Sequence, residues 1–299
     1  MICCIFSGNL KRIAKIPIRH IASSLKEPDL SGSFTIRAIE TLLSGRDMVQ
    51  ELHRHGFFYV LVLRKGRGEH SIDFVPYTVG DYSIFFMRPG QVHRLVLKKG
   101  SKGFLMGFTN DFYAPLKTES RQILRKVSNK NSCLLDAKRF KKLQSILEDI
   151  FEEYTLRQER YLEVIRSSLD IFFIELLRQS TNPRGLSGGG SEYQQERLEE
   201  LQELMALHIA RHKEAGYYAE QMHLTLYQLN AITKATLGKT CSQVINDYII
   251  LESRRYLLAT SSQINQVAWK LGYEDVSYFI RFFRKHTGHS PEAFRRNFK

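Results

Sequence analysis

The stretch QINQVAWKLGYEDVSYFIRFFRKHTGHSPEAFR, residues 263–295, has the pattern of two short helices joined by a tight turn. Its first half repeats apolar residues at helical spacing, and Gly272 follows where a left-handed residue would end a helix. Asp275 stands where a side chain caps a second helix, whose inner face would be Phe279, Phe282 and Phe283. This pattern predicts a helix-turn-helix, a unit whose second helix places side chains in the major groove of DNA.

The preceding segment repeats this unit. Thr225 and Asp275, the two predicted caps, are 50 residues apart, as are the two glycines that end the units. A fixed offset over paired roles indicates duplication of one supersecondary unit. We predict recognition helices at about 226–237 and 275–287, joined through a helix at about 242–258. If that connecting helix is rigid, the two units can occupy successive major grooves, which lie about 34 Å apart.

Basic side chains concentrate on the outer face of the second unit. Residues 281–299 carry six Lys or Arg and one Glu. The chain as a whole has a net charge of +13, but residues 196–299 contribute 14 basic and 11 acidic side chains, only +3. The predicted contact with DNA therefore depends on a local patch, in which arginines read guanine edges and the other cations hold phosphates.

Residues 263–295 resemble the signature of the AraC/XylS family of transcription regulators, and the resemblance continues more weakly back to about Leu201. It implies a DNA-binding regulator with double-stranded DNA as its partner. It also implies a two-domain α+β fold: a cupin-like β-barrel with a helical hairpin, then an all-α domain with two helix-turn-helix units. The predicted DNA-binding residues are Tyr227, Asn230 and Lys234 in the first unit and Ser277, Ile280, Arg281, Arg284 and Lys285 in the second.

Composition shifts divide the chain. Residues 181–195 are rich in Gly, Pro and Ser and predict a flexible linker between an effector domain, 1–180, and a DNA-binding domain, 196–299. Short β-rich runs, such as 57–63 and 71–75, predict a barrel over about 34–108. Apolar residues at helical spacing predict two helices over about 136–180.

Two stretches of the predicted barrel, HRHGFFYVLVLRKGRG (53–68) and DYSIFFMRPGQVHRL (81–95), resemble the family's cupin-like domain. His53, His55 and His93 could converge inside the barrel as a metal triad. Metal cupins add a glutamate four residues after the second histidine, and this chain has Tyr59 there. We therefore predict no metal and no cofactor, and a small-molecule effector instead. The candidate effector-binding residues are His53, His55, Phe57, Tyr59, Phe86, Arg88 and His93.

Three alternatives stay open. The barrel could be packed and bind no natural ligand, or the chain could be a metal-dependent cupin enzyme with a nucleic-acid-binding tail. The position of Tyr59 disfavours the enzyme, and the sequence has no GxSxG, P-loop or dinucleotide motif, so we predict a protein that is not an enzyme. A protein–protein adaptor is the third alternative, which the arginine-rich outer face disfavours.

An apolar stripe in the second predicted helix spans more than four turns. It predicts a homodimer interface built from Ile165, Leu169, Phe172 and Leu176, unless this helix packs on the first helix and the barrel. RNA polymerase is a further candidate partner. The longest apolar run has seven residues, too few to cross a membrane, and four scattered cysteines fit a reducing compartment, so we expect a cytoplasmic protein.

Overall fold

The computed structural model describes residues 18–19, 33–113, 118–180, 191–260 and 262–297. The strands are β1 (Ile18–Arg19), β2 (Phe34–Ala38), β3 (Met48–His55), β4 (Phe58–Lys65), β5 (Gly68–Ile72), β6 (Val75–Val79), β7 (Ser83–Met87), β8 (Val92–Leu97), β9 (Lys102–Phe108) and β10 (Ser132–Leu134). The helices of the first domain are α1 (Ile39–Leu43), α2 (Thr118–Ser128), α3 (Ala137–Leu156) and α4 (Tyr161–Ser180). Those of the second are α5 (Glu192–His208), α6 (Ala215–Gln221), α7 (Leu226–Leu237), α8 (Cys241–Ala259), α9 (Ile264–Lys270), α10 (Val276–Thr287) and α11 (Pro291–Asn297).

Two five-stranded sheets form the first domain. The strand order is β1-β3-β8-β5-β6 in one sheet and β10-β7-β4-β9-β2 in the other. Strand β4 explains the apolar run of the sequence, because both of its faces are covered. Tyr59 and Leu61 point toward the facing sheet, whereas Val60 and Val62 point toward the helices outside. The predicted β-rich domain with a helical hairpin is confirmed.

The predicted strand over 71–75 is wrong, because a tight turn divides it. Asp73 and Phe74 have φ values of +47° and +69° and join β5 to β6 as a two-residue hairpin. Such turns usually contain glycine, and the absence of glycine here hid the turn from sequence reasoning.

The predicted dimer stripe lies inside the domain. Helices α3 and α4 pack on the outer face of the second sheet, where the ring of Phe173 lies 5.8 Å from those of Phe86 and Phe108. The four candidate interface residues share complete or nearly complete burial in this core: Ile165, Leu169, Phe172 and Leu176. Their assignment to a subunit interface is therefore corrected, because the stripe is covered by its own chain.

Seven helices, α5 to α11, form the second domain within the described part of the chain. The duplication is confirmed in its details. Thr225 caps α7 and Asp275 caps α10, and each helix ends at a left-handed glycine. Gly272 has a φ of +72°, and a Cβ there would lie 1.6 Å from the backbone oxygen of Ala210, so only glycine fits this turn.

The predicted linker is shorter at its C-terminal end. Ser191 caps α5 through a capping box, so the helix begins at Glu192 and residues 192–195 are helical. The remainder of the prediction, 181–190, lies outside the described residues.

Candidate DNA-reading faces and the barrel histidines

Helix α10 separates a buried face from a basic one. Phe279 and Phe283 are fully buried in the core of the helical domain. The opposite face exposes the predicted reading residues Ser277, Ile280, Arg281, Arg284 and Lys285. The guanidinium of Arg281 lies 3.7 Å from the Asp275 carboxylate, and both side chains are mostly exposed, so the guanidinium can leave this weak ion pair for a base.

Helix α7 presents a less basic face. Tyr227 is 83% exposed and Lys234 is exposed, as the prediction requires. Asn230 is half-buried, and its Oδ1 accepts a hydrogen bond of 2.9 Å from the backbone N–H of Cys241, at the start of α8. Asn230 thus ties the two helices together, a role that the sequence did not reveal. Its contact with a base stays a prediction.

Helix α8 connects the two units. It has 19 residues and is therefore about 28 Å long at about 1.5 Å per residue. Val244, Ile245 and Ile249 bury one face of it in the domain core. Because it is continuous and packed, α8 sets the separation of the two reading helices.

Four buried histidines lie together in the barrel, and three of them were predicted to converge. His53 and His93 face each other across the pair β3–β8. Nε2 of His93 lies 2.9 Å from Nε2 of His55 and 3.0 Å from Nε2 of His53. The fourth is His70 on β5, whose Nε2 lies 2.8 Å from Nδ1 of His93. Burial, together with the charge of His53, lowers the pKa of His70 to about 3.

Sequence reasoning missed His70. Its only signal was its alternation with Ile72 along β5, because both point into the barrel.

Two aromatic residues adjoin this cluster as predicted. The ring of Tyr59 stacks on that of His55 at 4.8 Å, and the ring of Phe57 lies 4.5 Å from His55.

Two other effector candidates lie elsewhere, and their placement in the barrel is corrected. Phe86 pairs with Val60, not with Tyr59, so its side chain points out of the barrel toward α4. Arg88 follows β7, and its Nη1 donates to Oδ1 of Asn129 at 2.9 Å.

A cavity of about 190 Å³ lies outside the barrel, between α3 and the second sheet. Val62, Phe104 and Phe140 contribute to its lining, with Arg64 and Glu148 at its polar side. The predicted effector residues do not line this cavity.

A contact between the two domains was not predicted at all. The carboxylate of Asp73, in the β5–β6 turn, accepts hydrogen bonds from Nε and Nη2 of Arg255 on α8, at 2.9 and 2.5 Å. The neighbouring Phe74 places its ring 6.5 Å from that of Phe294 on α11. The left-handed turn thus brings an acid and an aromatic ring onto the DNA-binding domain.

A second contact joins α2 to α5. Arg125 binds Glu199 and Glu203, each at 3.1 Å, and Lys126 binds Glu196 at 3.3 Å. Oppositely charged faces of α2 and α5 therefore meet between the two domains.

None of the helices in the described ranges is long and apolar enough to cross a membrane. A model described as a helix-turn-helix domain matches residues 218–297, and a model described as an AraC-like ligand-binding domain matches residues 38–169.

Two curated relatives are each named "HTH-type transcriptional activator RhaS". The protein from Pectobacterium atrosepticum is 24% identical over 274 residues, which are 88% of this chain and 94% of the relative. The protein from Escherichia coli strain SE11 is 24% identical, over 89% of this chain and 93% of its own. Among solved structures, ToxT from Vibrio cholerae is similar at 14% identity, with a TM-score of 0.44, over 88% of this chain and 98% of that one.

Proposed function

The chain belongs to the AraC-type transcription regulators, and from this premise we propose that α7 and α10 read two successive major grooves of one DNA site. The observation that carries the proposal is the pair of equivalent helices held apart by α8, each with a capping side chain at its start and a left-handed glycine at its end. Its length of about 28 Å is comparable to the spacing of about 34 Å between grooves on one side of DNA.

We propose different roles in DNA binding for α10 and α7. Helix α10 offers three cations on its exposed face, so we assign it most of the affinity and a guanine contact through Arg281. Helix α7 offers Tyr227 and Lys234, with Asn230 set deeper between α7 and α8. We therefore propose that α10 fixes the register and that α7 adds selectivity.

Replacing Arg281 with alanine tests the base contact. A binding site is first selected from a random DNA pool with the full chain. We expect the variant to lose about 1–3 kcal/mol of specific binding and its preference at one base pair, because a bidentate arginine contact is removed. Arg64→Ala, which removes the same charge from the exposed end of β4, is the control and should bind as the parent does. An unchanged affinity and base preference in Arg281→Ala would contradict the assignment.

Arg284 and Lys285 should hold phosphates, since they lie one turn further along α10. Alanine at either position should weaken binding to all DNA sequences alike. A plot of log K against log salt concentration has a negative slope, and its magnitude should decrease by about 0.9 for each phosphate that the variant no longer neutralises. Filter-binding titrations over a range of salt concentrations measure this slope. A weakening confined to the selected site would instead make these residues base readers.

We propose that the barrel domain controls DNA binding through the contact of Asp73 with Arg255, and that the chain is not an enzyme. The relatives are named as activators, which supports a regulator. A small-molecule effector stays a prediction, for which Phe57 and Tyr59 beside the histidines are the remaining barrel candidates.

Three expectations about partners and place are carried forward as proposals. Homodimerisation cannot use the four buried residues of α4 and would need another surface; sedimentation of the full chain measures it. Contact with RNA polymerase follows from the activator names of the relatives. A cytoplasmic location is expected for a protein that works on the chromosome.

A further inference from the structure

In contrast to the expectation from Tyr59 in the sequence, we propose that the barrel binds one divalent transition-metal ion, with zinc as the best fit, through Nε2 of His53, His55 and His93. These atoms come from β3 and β8, the two strands that pair at this end of the first sheet. The inference goes beyond the DNA-binding function and does not depend on it.

The distances between the nitrogens suit such an ion. The three ligand atoms lie within 4.8 Å of one another, and two of the separations are 2.9 and 3.0 Å. Nitrogens bound to a tetrahedral zinc at about 2.0–2.1 Å are about 3.3 Å apart. Two of the separations are therefore within about 0.4 Å of those in a zinc site, and the third, which is at most 4.8 Å, has to adjust when an ion binds.

The hydrogen bonds outside the cluster orient lone pairs into it. Nδ1 of His53 lies 2.7 Å from the carbonyl oxygen of Glu51. A carbonyl oxygen only accepts, so Nδ1 carries the proton and Nε2 presents its lone pair to the cluster. This arrangement, with the second ring nitrogen held by a carbonyl group, is typical of metal-binding histidines.

Nε2 of His93 lies at the centre of the cluster, 2.9 Å from Nε2 of His55 and 3.0 Å from Nε2 of His53. A metal ion at this point can accept a lone pair from each of the three nitrogens. His70, at 2.8 Å from Nδ1 of His93, is then the acceptor that fixes the tautomer of His93.

The ligand type selects the metal. Three imidazoles suit zinc, copper, iron or nickel rather than magnesium or calcium. Tyr59 stands where metal cupins have a glutamate ligand, so this site lacks the carboxylate but keeps the three histidine nitrogens. Three neutral ligands leave the charge of the ion uncompensated, so the fourth position should take hydroxide or a small anion.

The ion would lie close to the contact between the domains. The backbone N–H of Val92, next to His93, donates to Oδ1 of Asp73 at 3.2 Å, and Asp73 binds Arg255 on α8. An ion that stiffens β8 would therefore act on the segment that holds the DNA-binding domain. This consequence rests on the proposed function, whereas the binding of the ion does not.

The test uses the untagged full chain after treatment with a chelator. Titration with Zn²⁺ in a calorimeter should give one ion per chain and raise the melting temperature. His55→Gln and His93→Gln should each weaken binding more than about 100-fold, because each removes a ligand. His289→Gln, at an exposed histidine of the other domain, should leave binding unchanged.

Co²⁺ provides a readout that needs no variant. An ion held by three nitrogens in a four-coordinate site should give intense visible absorption, whereas surface-bound Co²⁺ stays octahedral and pale. A pale wild-type spectrum, or zinc binding that persists in a folded His93→Gln, would overturn the proposal. If the full chain binds zinc but selects no DNA sequence from a random pool, the proposed function is rejected and the metal site is retained.

Discussion

Phe279→Ala should destabilise the DNA-binding domain by about 3–5 kcal/mol, which is a large part of the stability of a domain of this size. The side chain is fully buried, with its ring 5.4 Å from that of Tyr273 and 6.1 Å from that of Phe283. Truncation would remove the centre of this aromatic group and leave a cavity in the core. The neighbouring Tyr278, 55% exposed on the same helix, gives a matched control, since Tyr278→Ala should cost far less.

The chain provides its own probe for this measurement. Trp269 is the single tryptophan and lies in α9, within the unit that contains Phe279. Its fluorescence during unfolding in urea therefore reports on the DNA-binding domain. If Phe279→Ala kept the parent midpoint but no longer bound DNA, Phe279 would be a base-contacting wedge and not a core residue.

Local signals explain why the helical domain was predictable. Helix caps and terminal glycines act within a few positions of the helix that they bound, and the offset of 50 residues shows the same local pattern twice. They place α7 at the predicted range, and α10 begins one residue after its predicted cap. The boundary at Ser191 was misjudged because a capping box and a flexible linker both use small polar residues.

The barrel was less predictable because strand pairing is not local. Alternation within β7 shows that Phe85 and Phe86 point in opposite directions, but not which of them faces inward. The register with β4 decides this, since Phe86 lies opposite Val60. His70 was missed for the same reason, because only pairing across β5 and β8 brings it to His93.

The helical stripe of α4 shows a further limit. The helical spacing of apolar residues indicates that one face of a helix is buried, but it does not identify the surface that buries it. Residues such as Leu169 and Phe172 are covered by α3 and the sheet of the same chain, so the apolar face was correct and its partner was wrong.

The contact between Asp73 and Arg255 should be worth far more than an ordinary surface ion pair. Their side chains are 9% and 14% exposed, and Arg255 also binds Glu252. Burial alone would lower the pKa of Arg255, but the hydrogen bonds and charge of Asp73 offset this and raise it. Breaking such a pair from one side leaves a buried charge without its main partner.

Asp73→Asn is the suitable change because asparagine tolerates the left-handed φ of +47° and keeps one acceptor oxygen. We expect the free energy of unfolding, followed by Trp269 fluorescence, to fall by up to about 3 kcal/mol, because Arg255 stays buried while one of its two counterions is removed and only Glu252 remains. Arg94→Ala, which breaks an exposed pair with Glu51, should cost at most about 1 kcal/mol.

A double-mutant cycle with Arg255→Met separates the interaction energy of the two side chains from the independent effect of each substitution on stability. If the two side chains act on each other, the double variant should recover part of the stability, with a coupling energy of about 1–3 kcal/mol. Strictly additive effects would mean that Asp73 matters only for its own turn, where Nε2 of Gln91 and the N–H of Val92 also donate to its carboxylate. In that case the barrel would hold the DNA-binding domain through Arg125, Lys126 and the acidic face of α5 instead, because these are the other charged contacts that the described residues make between the domains.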